Sequence, residues 1–428
     1  MKSLSNEFKE QTLTEHEQSS LLDRYLDALD SDLKKVLLIP PDHTRKHSGA
    51  GRLTEYLYWQ LERRGVKVDI MPALGTHVPM TTEELQGMFG SDIPLDRFLV
   101  HDWRNDTEVI GEVPEEFVAD VSEGAVRFPI EVRLNRRLLN GEYDQIISIG
   151  QVVPHEVVGM ANHNKNIFVG CGGVDMINKS HFLGAAYDME RLLGRDHSPV
   201  RKVYDYAQEH FLQDLPLTFV LTANGLHVNK ETGVTDVLGL YVGDQREVFE
   251  WAVAMSQKHN ITVLAEPLKK VVVYLDPEEF KSTWLGCKAV YRTRMAIADG
   301  GELIIIAPGL RQFGEDAQID PLLRKYGYAG RDNILQWTEE NEDLRNNLSA
   351  AAHLIHGSSD GRFSITVAST MDRAAMEAAY FQYMTLDEGL ARYDVNRLRP
   401  GLQTVNGEEI YYIDNPATGL WVSADKWQ

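Results

Sequence analysis

Cysteine is almost absent: the 428-residue chain has two, Cys171 and Cys287. One pair cannot staple a fold of this size, so the disulfide frameworks of small secreted domains are excluded. Positive charge is short as well. Lysine and arginine total 43 against 64 acids, a net charge of -21, which argues against nucleic acid or an anionic membrane as a partner. Long apolar runs are missing. No segment approaches the roughly 18 residues of a membrane span. The opening MKSLSNEFKEQTLTEHEQ has no apolar signal-peptide core, which makes the cytoplasm the expected location. Heptad arrays, short repeats and low-complexity tracts are lacking too.

What is present is an ordinary globular composition, 43% hydrophobic and 25% charged, in a chain too long for one core. Short β-rich runs alternate with helical spacing. Lys34–Pro40 reads as a buried strand, 41–51 as a polar loop, Leu53–Arg64 as a helix and Val66–Ala73 as a second strand. Thr81 or Thr82 then caps a helix with acids in its first turn. Further strands are read at Asp144–Gly150, Leu217–Ala223, Lys269–Leu275, Glu302–Ala307 and Phe363–Val367. Helices are read at Arg246–His259 and over a long stretch from Pro277 to Ala298. The tail from Asn396 is turn-rich, as for a hairpin or a segment packed back on a domain. This pattern predicts an α/β protein of two domains with mostly parallel sheets. They divide at 1–267 and 268–428, near the AEPLKK stretch. In such sheets ligands meet the loops at the C-terminal strand ends.

Three of those loops carry chemistry. Asp42-His43-Thr44-Arg45 follows the first strand, and its arginine fork suits a carboxylate or phosphate. His77 follows the second, in Gly-Thr-His-Val-Pro. The third is the densest. His155, Glu156, His163, Lys165, Cys171, Asp175, Lys179 and His181 fall within 27 residues padded with glycine. Neutral imidazoles there suit nickel, copper, zinc or iron, although neither a Cys-x-x-Cys nor a His-Glu-x-x-His spacing is present. A glycine-rich ligand loop without metal fits the same residues. The two cysteines fit buried structural roles better than nucleophilic ones.

Taken together and in order, Asp42–Arg45, Gly75-Thr76-His77-Val78-Pro79, Pro154-His155, Gly159, Lys165 and His181 resemble the lactate racemase family over essentially the whole chain. The resemblance implies two α/β domains with an active-site cleft between them. It also implies a nickel-pincer nucleotide, made by dedicated cofactor-synthesis enzymes and attached covalently to Lys165. His181 would be its nickel ligand, and Thr44, Gly159 and His163 would lie beside it. His77 and His155 would be the acid/base pair, because inverting a secondary alcohol takes a proton on one side and returns it on the other. The cofactor would carry the hydride. Arg45 would steady the ketone-like oxygen, with Asp42 holding the arrangement.

Two departures from the family are visible. Asn162-His163-Asn164 stands where a Gly-Gly-Arg run usually precedes the lysine. In the second domain Lys288 matches a lysine that holds the substrate carboxylate, but Leu285 stands where glutamine is usual, with Trp284 beside it. Positions 285 and 288 are one helical turn apart, and Arg292 follows Lys288 by another. The expected activity is therefore a racemase or epimerase of a small-molecule 2-hydroxy acid larger or more polar than lactate, such as a sugar acid. Two other readings stay open. One is a zinc or iron lyase or hydrolase using His77, His155 and His181. The other is a non-catalytic ligand-binding homologue.

Overall fold

Residues 3–5, 12–29, 31–229, 232–315, 317–417 and 419–427 are described by the computed structural model. They form two compact units. The first comprises Met1–Ser180 and Leu192–Asn260, the second His181–Arg191 and Ile261–Gln428.

The first unit is built on six strands: β1 (Leu4–Ser5), β2 (Lys35–Ile39), β3 (Lys67–Ile70), β4 (Gln145–Gln151), β5 (Leu217–Val228) and β6 (Thr235–Gly243). Their order is β1-β6-β5-β4-β2-β3. The β3-β2-β4-β5 stretch is parallel, whereas β6 and β1 add antiparallel edges. Val36 through Ile39 are fully buried, as expected of a strand covered on both faces. Helices Glu15–Asp27 and Ala50–Arg63 pack Leu22, Tyr25, Leu57 and Leu61 into a core with Val68, Ile147 and Val220.

Helix starts follow local chemistry. Thr81 and Glu84 close a reciprocal capping box, so Thr81 rather than Thr82 is the cap. The stretch read as an open loop over 41–51 contains a turn of tight helix, His43–Ser48, because the Asp42 side chain accepts from the Thr44 amide and caps it.

The chain runs from β2 to β3 on one side and then returns to place β4 on the other side of β2. That reversal is a topological switch point, where the loops leaving β2 and β4 diverge and leave a crevice. Asp42–Arg45 and the 152–165 segment are those loops.

The second unit has its own sheet: β7 (Leu268–Tyr274), β8 (Ile297–Ile306), β9 (Ser364–Ser369), β10 (Gln382–Thr385), β11 (Gly401–Val405) and β12 (Glu408–Ile413). The order is β10-β9-β8-β7-β12-β11, parallel except for β11. The tail is thus structural: its hairpin inserts β12 beside β7, and Leu420–Ser423 pairs in parallel with Ile261–Leu264.

The helix expected over 277–298 is broken. Residues 277–281 turn without forming a helix. Ser282 then caps a short helix, Thr283–Gly286, by accepting from the Leu285 amide. A second short helix, Lys288–Thr293, follows Cys287, and β8 begins at Ile297.

The short piece His181–Arg191 is fastened to the second unit by charge. Glu190 accepts from Arg362 (2.6 Å) and Arg294 (2.9 Å) and pairs with Lys426 (3.1 Å). Burial would raise this carboxyl, but the three cations outweigh it and hold its pKa below the ordinary range. Arg331 adds a bond of 2.5 Å to the Ala186 carbonyl. No described helix is long and apolar enough to cross a membrane.

Candidate active site

The Asp42 side chain organises the first loop. It is buried, with Oδ1 accepting from Thr44 Oγ1 at 2.5 Å and from the Thr44 amide at 3.2 Å. Its other oxygen, Oδ2, lies 2.5 Å from Nδ1 of His77 in the next loop. Burial alone would raise the Asp42 pKa. The His77 hydrogen bond and charge, the Thr44 hydroxyl and the Arg45 guanidinium outweigh it, so the carboxyl is held below its usual range. An ionised carboxylate can only accept, so it fixes a proton on His77 Nδ1 and leaves Nε2 as the lone-pair nitrogen. Arg45 is half-buried and reaches Thr44 Oγ1 at 3.4 Å.

His155 is arranged the other way round. Its Nδ1 accepts from the Val157 amide at 3.1 Å, so a neutral ring carries its proton on Nε2. Glu156 Oε2 lies 3.6 Å from the same Nδ1 and would face the N–H of a protonated ring. The His155 side chain is 13% exposed against 57% for His77.

Two glycines let this loop fold close to its neighbours. A Cβ on Gly150, at the end of β4, would lie 2.2 Å from Asn162 Nδ2. On Gly159, at φ +85°, it would lie 2.0 Å from the Arg195 carbonyl. Gly159 thus serves backbone packing here.

Lys165 sits in the first turn of the short Asn164–Phe168 helix, partly buried. Burial and the Arg45 guanidinium pull its pKa down to about 8, with Glu156 pulling the other way. A substantial fraction is then a neutral amine near physiological pH, the form that forms covalent bonds. The loop is held in place by residues without a motif signature. Fully buried Arg201 binds the Met160 carbonyl (2.7 Å), the Asn162 carbonyl (3.1 Å) and Asn164 Oδ1. Asn164 Nδ2 donates to Asp205 at 2.7 Å, and Asn166 binds Ser148 Oγ at 2.9 Å. Arg201 thus brings a guanidinium to the run Asn162-His163-Asn164 from a helix further along the chain, 37 residues beyond Asn164. The one sequence hint was an arginine beside the apolar face of helix Pro199–Phe211. His163 itself is buried, its ring stacked 4.0 Å from Phe219 and 5.1 Å from Phe249.

The structure thus brings Asp42, Thr44 and His77 into one hydrogen-bonded set, with the charges of Arg45 and Glu156 acting on Lys165. His181 belongs to the second unit, as do the four substrate-binding candidates. There Trp284 stacks on His353 at 4.1 Å, and Leu285 is partly buried. Lys288 Nζ lies 3.4 Å from Glu279 Oε1, and Arg292 is buried rather than solvated. Glu156 and Arg201 are the participants that the motif reading left out.

Both cysteine thiols are buried and pushed up to about 12, which removes them as nucleophiles at neutral pH. Among the described residues, the group of three His, Cys, Asp or Glu side chains close enough to share a metal ion is Asp196, His197 and Glu250. His77 and His155 are not in it.

Comparison with known proteins agrees with the motif reading. Residues 5–194 match the model of the lactate racemase N-terminal domain. Across 96% of its length the chain superposes on 99% of a Thermotoga maritima protein, with a TM-score of 0.80 at 23% identity. Across 94% it superposes on 92% of the lactate racemase apoprotein from Thermoanaerobacterium thermosaccharolyticum, with a TM-score of 0.70 at 17% identity. Those two likenesses speak to the fold. No curated protein matches the chain.

Proposed function

We propose that the chain inverts the C2 centre of a 2-hydroxy acid, a reading supported by the match of residues 5–194 to the model of the lactate racemase N-terminal domain. The observation that carries the reading is the pair of histidines set to opposite proton roles, in the same unit as a lysine whose amine is partly neutral.

Lys165 fits a covalent anchor for a nickel-pincer nucleotide, because its depressed pKa supplies the nucleophilic amine that such a bond needs. His181 would contribute an imidazole to the nickel. When bound, such a group would take up the C2 hydrogen with its electron pair and return it.

The chain's own residues handle the hydroxyl proton. From one enantiomer it passes to His77 Nε2, and Asp42 stabilises the imidazolium that results. Arg45 meets the negative charge developing on the oxygen. The inverted hydroxyl receives its proton from Nε2 of doubly protonated His155, whose Nδ1–H turns to Glu156. In the reverse direction that same Nδ1–H, resting on Glu156, frees Nε2 to accept. Lys288 would take the substrate carboxylate, with Arg292 behind it on the same helix. Trp284 and Leu285 would shape a wall for a side chain larger than the lactate methyl, such as that of a sugar acid.

The test is to make the protein together with cofactor-synthesis enzymes and weigh it intact. Enantiopure lactate, malate and aldonic acids are then followed by chiral chromatography. The expected outcome is an adduct lost in Lys165→Ala and inversion of one of these acids. Active protein with an unmodified Lys165 would overturn the reading.

A further inference from the structure

The first unit holds a groove of about 690 Å³ whose lining includes none of Asp42, His77, His155 or Lys165. It is walled by helices Pro199–Phe211 and Arg246–Asn260 and by the starts of β4 and β5. Its lining carries the carboxylates Asp205, Glu209, Asp244 and Glu250 against a single guanidinium, Arg246. Surface acids alone would mean little.

What sets the groove apart is His163, which lines it. This residue is 2% exposed, and neither of its ring nitrogens has a hydrogen-bond partner. The neighbouring Asn164 side chain acts weakly on the ring, but its Oδ1 and Nδ2 are taken by Arg201 and Asp205. Buried imidazole nitrogens are ordinarily satisfied, and an orphaned donor and acceptor are costly. The backbone holds His163 there at φ +58°, ψ -135°, beside Asn162 at φ +68°. Side chains other than glycine rarely adopt such a conformation unless the surroundings enforce it. A second orphan lines the same groove: Gln208 Oε1 is buried without a donor.

We propose that this groove binds a small organic cation, an amine bearing N–H or O–H donors. Burial, with the charges of Arg201 and Arg246, keeps the His163 ring neutral, so it offers one N–H and one lone pair. Gln208 Oε1 asks for a donor. Asp205 and Glu250 lie 2.6 Å and 3.5 Å from Arg246, so four carboxylates share one guanidinium and the lining keeps an acidic surplus. That surplus repels a carboxylate such as the acid proposed as substrate, so the site is separate from the racemase reading and stands or falls independently of it. A metal ion is a poorer fit. Arg246 already lies 3.4 Å from Asp196 and 3.5 Å from Glu250, within the trio that could hold one.

The test uses full-length protein labelled with nitrogen-15 histidine and titrated with ethanolamine, putrescine, glycerol, lactate, magnesium or zinc. The imidazole signals of His163, assigned by their loss in His163→Gln, are followed by NMR. Ethanolamine or putrescine should shift them saturably at millimolar concentration. The affinity should fall about tenfold in the exposed-rim double variant Glu209→Gln/Glu250→Gln, as loss of two screened charges implies. No saturable shift with either amine overturns the proposal. So does an equal response to glycerol, a response to lactate, or a response confined to the metals.

Discussion

His77 follows β3 and His155 follows β4, the strands on either side of β2, yet the partner of Nδ1 gives the two rings opposite character. The carboxylate of Asp42 fixes the proton of His77 on Nδ1 and leaves Nε2 to accept. The Val157 amide occupies Nδ1 of His155 and leaves its proton on Nε2. One ring is largely exposed beside a buried acid, and the other is largely buried beside a partly buried one. Which nitrogen of a histidine carries the proton is therefore set by what its other nitrogen meets rather than by its place in a motif.

The largest effect should come from removing either ring. His77→Ala and His155→Ala should each lower turnover by about 10²- to 10⁴-fold. Intact mass should show Lys165 modified as before. Activity surviving both changes would leave no roles to compare.

Next comes the partner of each ring. Asp42→Asn offers His77 an N–H donor and moves its proton to Nε2, so turnover should drop about 10²-fold or more. Glu156→Gln should cost about tenfold, since it weakens one protonated state only. The opposite ranking in steady-state kinetics would reverse the comparison.

A smaller change is expected in the second unit. Lys288→Ala should raise KM about tenfold with turnover little altered, the signature of lost ground-state binding.

Lys165 gives a test without substrate. Acylation of its amine, read by peptide mass spectrometry, should follow a midpoint at about pH 8, because only the neutral amine reacts. Arg45→Ala should move that midpoint upward by removing a nearby positive charge.

The smallest effect concerns stability. The folded pKa of Asp42 lies below its ordinary 3.8. Its contribution is therefore complete above that value and lost as pH falls through the folded one. Melting curves of the native protein and Asp42→Asn should differ at neutral pH and converge below about pH 4.

Much of the scaffold was legible in the sequence. Lys34–Pro40, Asp144–Gly150 and Lys269–Leu275 were read as strands and lie within a residue of Lys35–Ile39, Gln145–Gln151 and Leu268–Tyr274. A short apolar run between polar loops has few other ways to bury itself. The stretch from Pro277 misled because helical propensity cannot register a serine cap and a break at Cys287, which depend on what the segment packs against. The antiparallel edges of the first sheet were equally unreadable, since strand direction is settled by pairing rather than by side-chain pattern.

By itself the sequence determined where the candidate groups would lie. Alternating strands and helices force polar loops to the strand ends, and the motifs put two histidines, an arginine and a lysine there. Only the tertiary structure decided what those groups are. Asp42 and His77 are 35 residues apart along the chain, and Arg201 and Asn164 are 37 apart. Proton placement and the lowered pKa of Lys165 follow from hydrogen bonds, burial and charges within a few ångströms. Distance in space, unlike order along the chain, is fixed only when the sheet has formed.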